Sequence, residues 1–474
     1  MTHRQSAMGT GVERRQSSEL SVLSVKRRIH LVGVGGAGMS AIASVLAAMG
    51  HEVSGSDLKA SSATQRLAVA GVNVFVGHDA SHLGDAELVT MSSAIPESNP
   101  EIAQARRQGL QVLSRAQMLA EICASRRCVA VSGTHGKTTT TSMLALILVE
   151  AGLRPSFVIG GDVNEIGTNA VWDSGQWLVV EADESDGTFN FLDPEVAVVT
   201  NVEPDHLDHY GSFEELVAAF DEFCTGRPGG VVTGSDDLVG LELGRRHDAD
   251  LVGCSGAATW RIERRTMGAA GVSFDLRRGE EVLGRLALPV IGASIANNAA
   301  MAAVAAMRVG APFEAARRAL ARFAGVARRF EPRGETRGVY FVDDYAHLPT
   351  EVRSVIGAAR ALRKRRLVVV FQPHRYSRIA ALGAEFADAF SGADVVLVTD
   401  VFSAGEEPLP GITGRLVADA AARAHPALDV VYVQGRTELH EHLARILRPG
   451  DLCLTLGAGD LTTLPDEVQA APTW

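Results

Sequence analysis

Lysine is nearly missing from this chain: Lys26, Lys59, Lys137 and Lys364 are all of it, and none lies between Lys137 and Lys364. Arginine therefore carries almost all the positive charge, and acids outnumber bases to give a net charge of −11 over 474 residues. That balance excludes a general binder of nucleic acid or anionic membrane, but it leaves room for a local cationic pocket. The five cysteines (Cys123, Cys128, Cys224, Cys254, Cys453) are odd in number and scattered, so no disulfide framework is expected and a reducing cytoplasm fits. Aromatic residues make up 5%, which disfavours an aromatic-rich sandwich or a carbohydrate groove. No run reads as a membrane span. The uncharged stretch 286–307 contains Pro289, Gly292 and Asn297-Asn298 and is rich in alanine, which predicts a loop followed by a buried helix, with no membrane insertion. Residues 1–26 are polar and lack an apolar segment, so a disordered tail is expected there, not a secretory signal.

Hydrophobic content of 46% with 21% charge is ordinary globular composition. At roughly 150 residues per domain the length suggests about three domains. Short apolar runs alternate with alanine-rich helical stretches, the pattern of parallel α/β sheets. Strands are predicted over 28–33, 52–56, 72–76 and 88–91, then 127–132, 177–181 and 196–200, then 338–343, 366–371, 394–399, 430–433 and 452–456. Helices are predicted over 37–49 and 137–151. Boundaries near Ala120 and Phe330 divide the chain into 27–120, 121–330 and 331–474.

Two glycine loops carry the chemistry. Gly33-Val34-Gly35-Gly36-Ala37-Gly38 is G-x-G-x-x-G between a strand and a helix: a tight turn, a close backbone approach to a diphosphate, and a helix N-terminus facing the anion. Asp57, at the end of the next strand, stands where a ribose-binding acid would. By itself this pattern specifies only a nucleotide diphosphate, with NAD the usual first reading. Gly133-Thr134-His135-Gly136-Lys137-Thr138-Thr139 is a shortened phosphate loop, since the glycine of the longer Walker spacing is replaced by Val131. Its N–H groups cradle phosphates, Lys137 reaches the terminal oxygens, and Thr138 offers a hydroxyl to Mg²⁺. One nucleotide needs one such loop. Two loops imply two nucleotide-bearing ligands, with only one of them hydrolysed.

Carboxylates follow two central strands, as Glu181-Ala-Asp183-Glu184-Ser-Asp186 and as Glu203-Pro-Asp205-His206-Leu-Asp208-His209. Glu181 and His206 are the expected metal ligands, while Asp183, Glu184 and Asp186 read as solvated loop acids and His209 as a surface histidine. Arg328-Arg329, Asp343-Asp344-Tyr345-Ala-His347 and His374-Arg375-Tyr-Ser-Arg378 supply candidate anion contacts. The run 363–366 reads as a solvated helix cap.

In chain order, GVGGAGMS, SGTHGKTTTT, EADESDGTF, TNVEPDHLDHY, DDYAHLPTE, FQPHRYSR, AGEEPLPG and LGAGD resemble the Mur ligase family from about Arg28 to Leu461. The resemblance implies an N-terminal Rossmann-like domain holding UDP, a central P-loop-type ATPase domain, and a C-terminal Rossmann-like domain bringing an amino acid. It implies an ADP-forming ligase of peptidoglycan precursor synthesis, joining L-alanine to the lactyl carboxylate of UDP-N-acetylmuramate through an acyl phosphate, as a monomer or homodimer; the alternatives are a murein-peptide recycling ligase on the same UDP-sugar and a catalytically inactive nucleotide-binding regulator of the same fold. Carried over by motif, Gly35, Gly36, Ala37, Gly38 and Met39, with Asp57 and the Ser92-Ser93 turn, would contact the UDP-sugar. Gly133 to Thr139, Asn298, Arg328, Arg329 and Asp344 would bind ATP. Thr138, Glu181 and His206 would hold Mg²⁺. Tyr345, His347, Arg375 and Arg378 would shape the amino-acid end, with Lys137, His347, Arg375 and Arg378 serving the chemistry. Two positions depart from the family: Ala293-Ser294 replaces a histidine turn before the adenine-contacting asparagine, and Leu348 replaces a second histidine. With no lysine between Lys137 and Lys364, the carbamylated lysine of several sibling ligases has no counterpart, which fits the alanine-adding member.

Overall fold

The structure, a computed structural model, describes residues 21–163, 167–185, 187–268, 270–292 and 294–471. Three sheets succeed one another along the chain. The first is fully parallel, in the order Asn73–Val76, Glu52–Asp57, Arg28–Val32, Leu88–Met91, Gln111–Ser114. Its strand order reverses beside Arg28–Val32, which opens a crevice at the strand ends directly over Gly33. The second sheet has ten strands. Its parallel centre runs Asp250–Gly253, Gly230–Gly234, Val196–Val199, Arg127–Ser132, Trp177–Glu181, Ser156–Val163. The third places Glu331–Thr336 antiparallel on Val339–Asp344, followed by the parallel strands Asp451–Leu456, Arg366–Phe371, Val395–Val398 and Asp429–Tyr432.

Every strand predicted from the sequence is present within one residue at each end. The main addition is an antiparallel meander of Trp260–Gly268, Gly271–Arg278 and Glu281–Leu288 on one edge of the central sheet. Its sequence signal is the alternation of Trp260, Ile262 and their polar neighbours, a period of two that breaks the βαβ rhythm on either side. After it, Ile295–Arg308 is the buried helix expected from the uncharged stretch.

That helix packs on Lys137–Glu150, which is buried on every side from Thr138 to Leu148 and so shows no amphipathic stripe. The phosphate loop is thereby fixed at the N-terminus of the most deeply buried helix of the central domain.

Two local expectations are corrected. Within the predicted tail, residues 21–23 are packed while 24–26 are exposed: Leu23 is buried in the core, and the Ser21 hydroxyl donates to Glu121 at 2.8 Å. Residues 1–20 lie outside the described residues, as do Asp186 and Ala293. The basic run 363–366 is not simply a solvated cap, because Arg366 opens a strand and grips buried Asp451 with two hydrogen bonds of 3.0 and 2.6 Å.

Candidate active site

The first loop is built to show its backbone. Gly33 has φ +83°, and a Cβ there would meet Ser92 Cβ at 3.0 Å, so the loop and the Ser92-Ser93 turn abut. Helix Ala37–Ala48 starts at exposed Gly36 without a side-chain cap, which leaves its first N–H groups facing the crevice. Asp57, expected at a ribose, spends Oδ2 on the loop itself by accepting the Gly35 N–H at 2.8 Å. Met39 is packed into the core at 2% exposure, so only its backbone can serve a ligand. Beneath the crevice, fully buried Glu101 accepts hydrogen bonds from the Ser56 hydroxyl at 2.5 Å and the Asp79 N–H at 3.0 Å, and lies within 3.2 Å of His30 Nε2 and 3.0 Å of His82 Nδ1. Burial opposes its charge, but these bonds hold its carboxyl down at about 2.

The second loop is built from charge. Gly133 and Gly136 have φ of +129° and +81°. A Cβ on Gly133 would lie 2.1 Å from Thr200 Oγ1, and one on Gly136 would lie 2.7 Å from Asn298 Oδ1. Lys137 Nζ donates to Gly133 O at 2.7 Å and to Glu184 Oε1 at 2.7 Å. Glu184 is therefore no solvated acid: it is 1% exposed, and burial lifts its carboxyl to about 7 against the pull of Lys137. Thr138 donates its hydroxyl to Glu181 Oε1 at 2.9 Å, while Gly160 N–H holds Oε2 at 2.6 Å. These two predicted metal ligands thus meet. The third, His206, sits in the left-handed region with φ +54°, and its Nε2 is 3.2 Å from Asp205. Among the described residues no group of three His, Cys, Asp or Glu side chains forms a metal cage.

A cavity of about 310 Å³ opens on this loop. His135, Gly136, Thr139, Asn298, Arg329 and Asp344 line it, so most of the predicted ATP contacts converge. Asn297 lines it as well, donating Nδ2 to Asp236 at 2.8 Å while its buried Oδ1 has no hydrogen-bond partner among the described residues. The far wall belongs to the C-terminal domain through Asp344, Thr350, Glu351 and Ser354. Asp344 accepts N–H bonds from Phe330 and Ala346, and burial lifts it to about 6 despite Arg329. Arg328 is turned elsewhere: its guanidinium donates to Gly457 O at 2.6 Å and Gly459 O at 3.1 Å and stacks on Tyr345. It straps the domain together, whereas Arg329 faces the cavity.

The predicted amino-acid residues cluster beside it. Arg378 is 6% exposed and reaches across the domain boundary to Asp205 at 3.1 Å, with His374 Nδ1 3.0 Å from its other nitrogen. Arg375 lies 3.8 Å from Glu406. Burial drives His347 down to about 4, so it is neutral, and its Nδ1 donates to Tyr345 O at 3.0 Å. Leu348, the second family departure, is a core residue. Sequence reasoning missed the roles of Arg115, Glu203, Asp205 and Glu351. Arg115 stands 3.9 Å from Asp183, and a Cβ on Gly38 would meet it at 3.3 Å, so it lies between the two loops. Three of these four, Glu203, Asp205 and Glu351, fall inside the family motifs, yet their roles depend on which domain each faces.

The succession of a crevice over the first glycine loop, a short phosphate loop and a third sheet closing over it is matched by three family models. The Mur ligase family catalytic domain covers residues 28–127, the Mur ligase middle domain 131–306, and the Mur ligase glutamate ligase domain 328–459. The UDP-N-acetylmuramate–L-alanine ligase of Myxococcus xanthus is 46% identical over 445 residues, covering 93% of this chain and 94% of its own. This chain belongs to the Mur ligase family. The enzyme of the same description from Rubrobacter xylanophilus is 45% identical over 452 residues, covering 94% and 99%. Among solved structures, the UDP-N-acetylmuramate-alanine ligase MurC of Thermotoga maritima superposes with a TM-score of 0.79 at 29% identity, covering 93% of this Mur ligase and 98% of that chain. A murein peptide ligase of Psychrobacter arcticus shares the fold, with a TM-score of 0.67 at 24% identity.

Proposed function

We propose that this Mur ligase joins L-alanine to the lactyl carboxylate of UDP-N-acetylmuramate and forms ADP and phosphate, a step of peptidoglycan precursor synthesis carried out in the cytoplasm. The observation that carries the reading is the pairing of two unlike glycine loops, one backbone-exposed and one charged and closed over by a third domain. A dehydrogenase would leave the second loop and its cavity without a use.

In this reading the exposed N–H groups at Gly36 to Gly38 hold the diphosphate of the UDP-sugar. ATP lies along the 310 Å³ cavity, with its phosphates on Gly133 to Thr139. Lys137 draws negative charge from the transferred phosphoryl group as the lactyl carboxylate attacks it. Thr138 and Glu181, hard oxygen donors already in contact, fit Mg²⁺, which would neutralise phosphate charge; His206 would complete the set from the neighbouring strand end. The amine of alanine then attacks the acyl carbon, and phosphate leaves. Arg375 and Arg378 hold the alanine carboxylate. A neutral imidazole with a pKa near 4 is too weak a base for an ammonium group, so His347 positions the amine and does not deprotonate it.

Phosphate release is measured with ATP, Mg²⁺, UDP-N-acetylmuramate and an amino-acid panel, omitting each in turn. Release that needs all four and is fastest with alanine supports the reading. Release without the UDP-sugar, or greatest with a peptide, overturns it.

A further inference from the structure

Glu351 belongs to the first turn of helix Pro349–Arg360 in the C-terminal domain, and its two oxygens face different domains. Oε2 accepts the N–H groups of His347 at 2.9 Å and Leu348 at 3.2 Å, which closes the turn bearing the amino-acid-side residues. Oε1 lies 3.0 Å from Nδ1 of His135, which is 216 positions away in the phosphate loop. His135 Nε2 lies 3.3 Å from Glu203 Oε2, and that oxygen also accepts the Thr350 hydroxyl at 2.8 Å. The backbone of His135 is fixed as well: its N–H donates to Asn201 Oδ1 at 2.9 Å, and its carbonyl accepts from Thr200 at 2.5 Å and Asn201 at 3.0 Å. With a carboxylate at each ring nitrogen, both nitrogens donate and the ring is an imidazolium.

We propose that Glu351 is a positioning residue that locks the phosphate loop to the 345–348 turn through His135, so that the acyl phosphate is delivered to alanine and shielded from water. This rests on the ligase reading above. All four side chains, His135, Glu203, Thr350 and Glu351, line the same cavity, so loosening the lock opens that wall to solvent. A misplaced wall lets water take the place of the amine: its oxygen bonds the acyl carbon, the carbon–oxygen bond to phosphate breaks, and the starting carboxylate is regenerated. ATP is then consumed without an amide.

The test is the ratio of ADP to amide product in Glu351→Gln. Glutamine keeps an oxygen for the His347 and Leu348 N–H groups but removes the charge facing His135, which separates locking from turn closure. The expected result is a product rate lower by on the order of 10- to 100-fold, the cost of small misplacements in a reacting pair. The ADP-to-product ratio is expected to rise clearly above one, with an unchanged KM for the UDP-sugar. Glu203→Gln loosens His135 from the other side while leaving the Glu351 bonds to the His347 and Leu348 N–H groups in place, and the same uncoupling is expected. A ratio that stays at one in both variants overturns the proposal, whatever their rates. A wild-type enzyme with no alanine-dependent ADP formation would instead refute the ligase reading itself.

Discussion

The two glycine loops look alike on paper and solve opposite problems. The first, at Gly33 to Gly38, has exposed backbone at its helix start and no cationic side chain of its own. The second, at Gly133 to Thr139, is largely buried and carries Lys137 and His135, each paired with a buried or half-buried acid. A ligand that is only held can be read by N–H groups and a helix end, which need no reorganisation. A ligand that is cleaved needs charge that can shift toward the developing oxyanion, and such charge stays buried only if counter-ions accompany it.

The sharpest break in this comparison is Lys137→Ala. ADP formation is expected to fall by at least roughly 10³-fold, more than a single neutral donor is worth, because the charged partner of the transferred phosphoryl group is gone. Binding of the UDP-sugar, measured by calorimetry, is expected to stay within a few-fold, because the proposed reading places that ligand on the other loop. Equal loss of both would show that the two loops do not serve separate ligands.

Next comes Glu101→Gln, a test of whether the first loop is rigid by its own means. Glu101 gathers Ser56, the Asp79 N–H, His30 and His82 under the crevice. Removing a buried charge from its partners costs on the order of 3 kcal/mol, so the thermal midpoint should drop. Its carboxyl is depressed from an ordinary value of 4.5 to about 2. The stability it lends is therefore complete above about pH 4.5 and is lost as pH falls toward 2, so the mutant should lose less than the wild type across that window. A midpoint unchanged by the substitution would remove Glu101 as the support of the crevice.

Glycine replacements give a finer contrast. Gly136→Ala forces a side chain into the left-handed region and against Asn298, at a cost of about 1–3 kcal/mol. It should weaken ATP binding while sparing the UDP-sugar. Gly36 has φ −68°, and its nearest neighbour to an added Cβ is 3.9 Å away, so Gly36→Ala should fold within about 0.5 kcal/mol of wild type. Its effect should appear in the KM for the UDP-sugar alone. Differential scanning of both variants with and without each ligand checks the pair.

What the sequence could show follows the same division. Parallel strands and glycine loops depend on local pattern, so the loop at Gly33, the loop at Gly136 and the strands behind them were legible from spacing. Partners across domains were not. Glu184 looked like one more acid in an acidic loop because nothing local says that Lys137 turns onto it. Glu351 carries no local sign of its partner, because His135 is 216 positions away. The meander over 260–288 was lost for another reason: its alternation is local and readable, but it interrupts a βαβ rhythm that the rest of the chain keeps.

Arg375→Ala is confined to one substrate and separates functions within the charged half. Arg375 has φ +57° and lies 3.8 Å from Glu406, at the edge of the cluster whose buried member is Arg378. A partly exposed arginine holding one carboxylate is worth about 1–2 kcal/mol, so the KM for alanine should rise roughly 10-fold with little change in the KM for ATP. Arg378 is unsuited to this experiment, because its loss would also leave Asp205 buried without its cation, and domain contact and substrate contact would fail together. If the alanine KM of Arg375→Ala is unchanged while that for ATP rises, the arginine serves the phosphate end. The charged half would then be one continuous ATP clamp, not a clamp adjoining a separate amino-acid pocket.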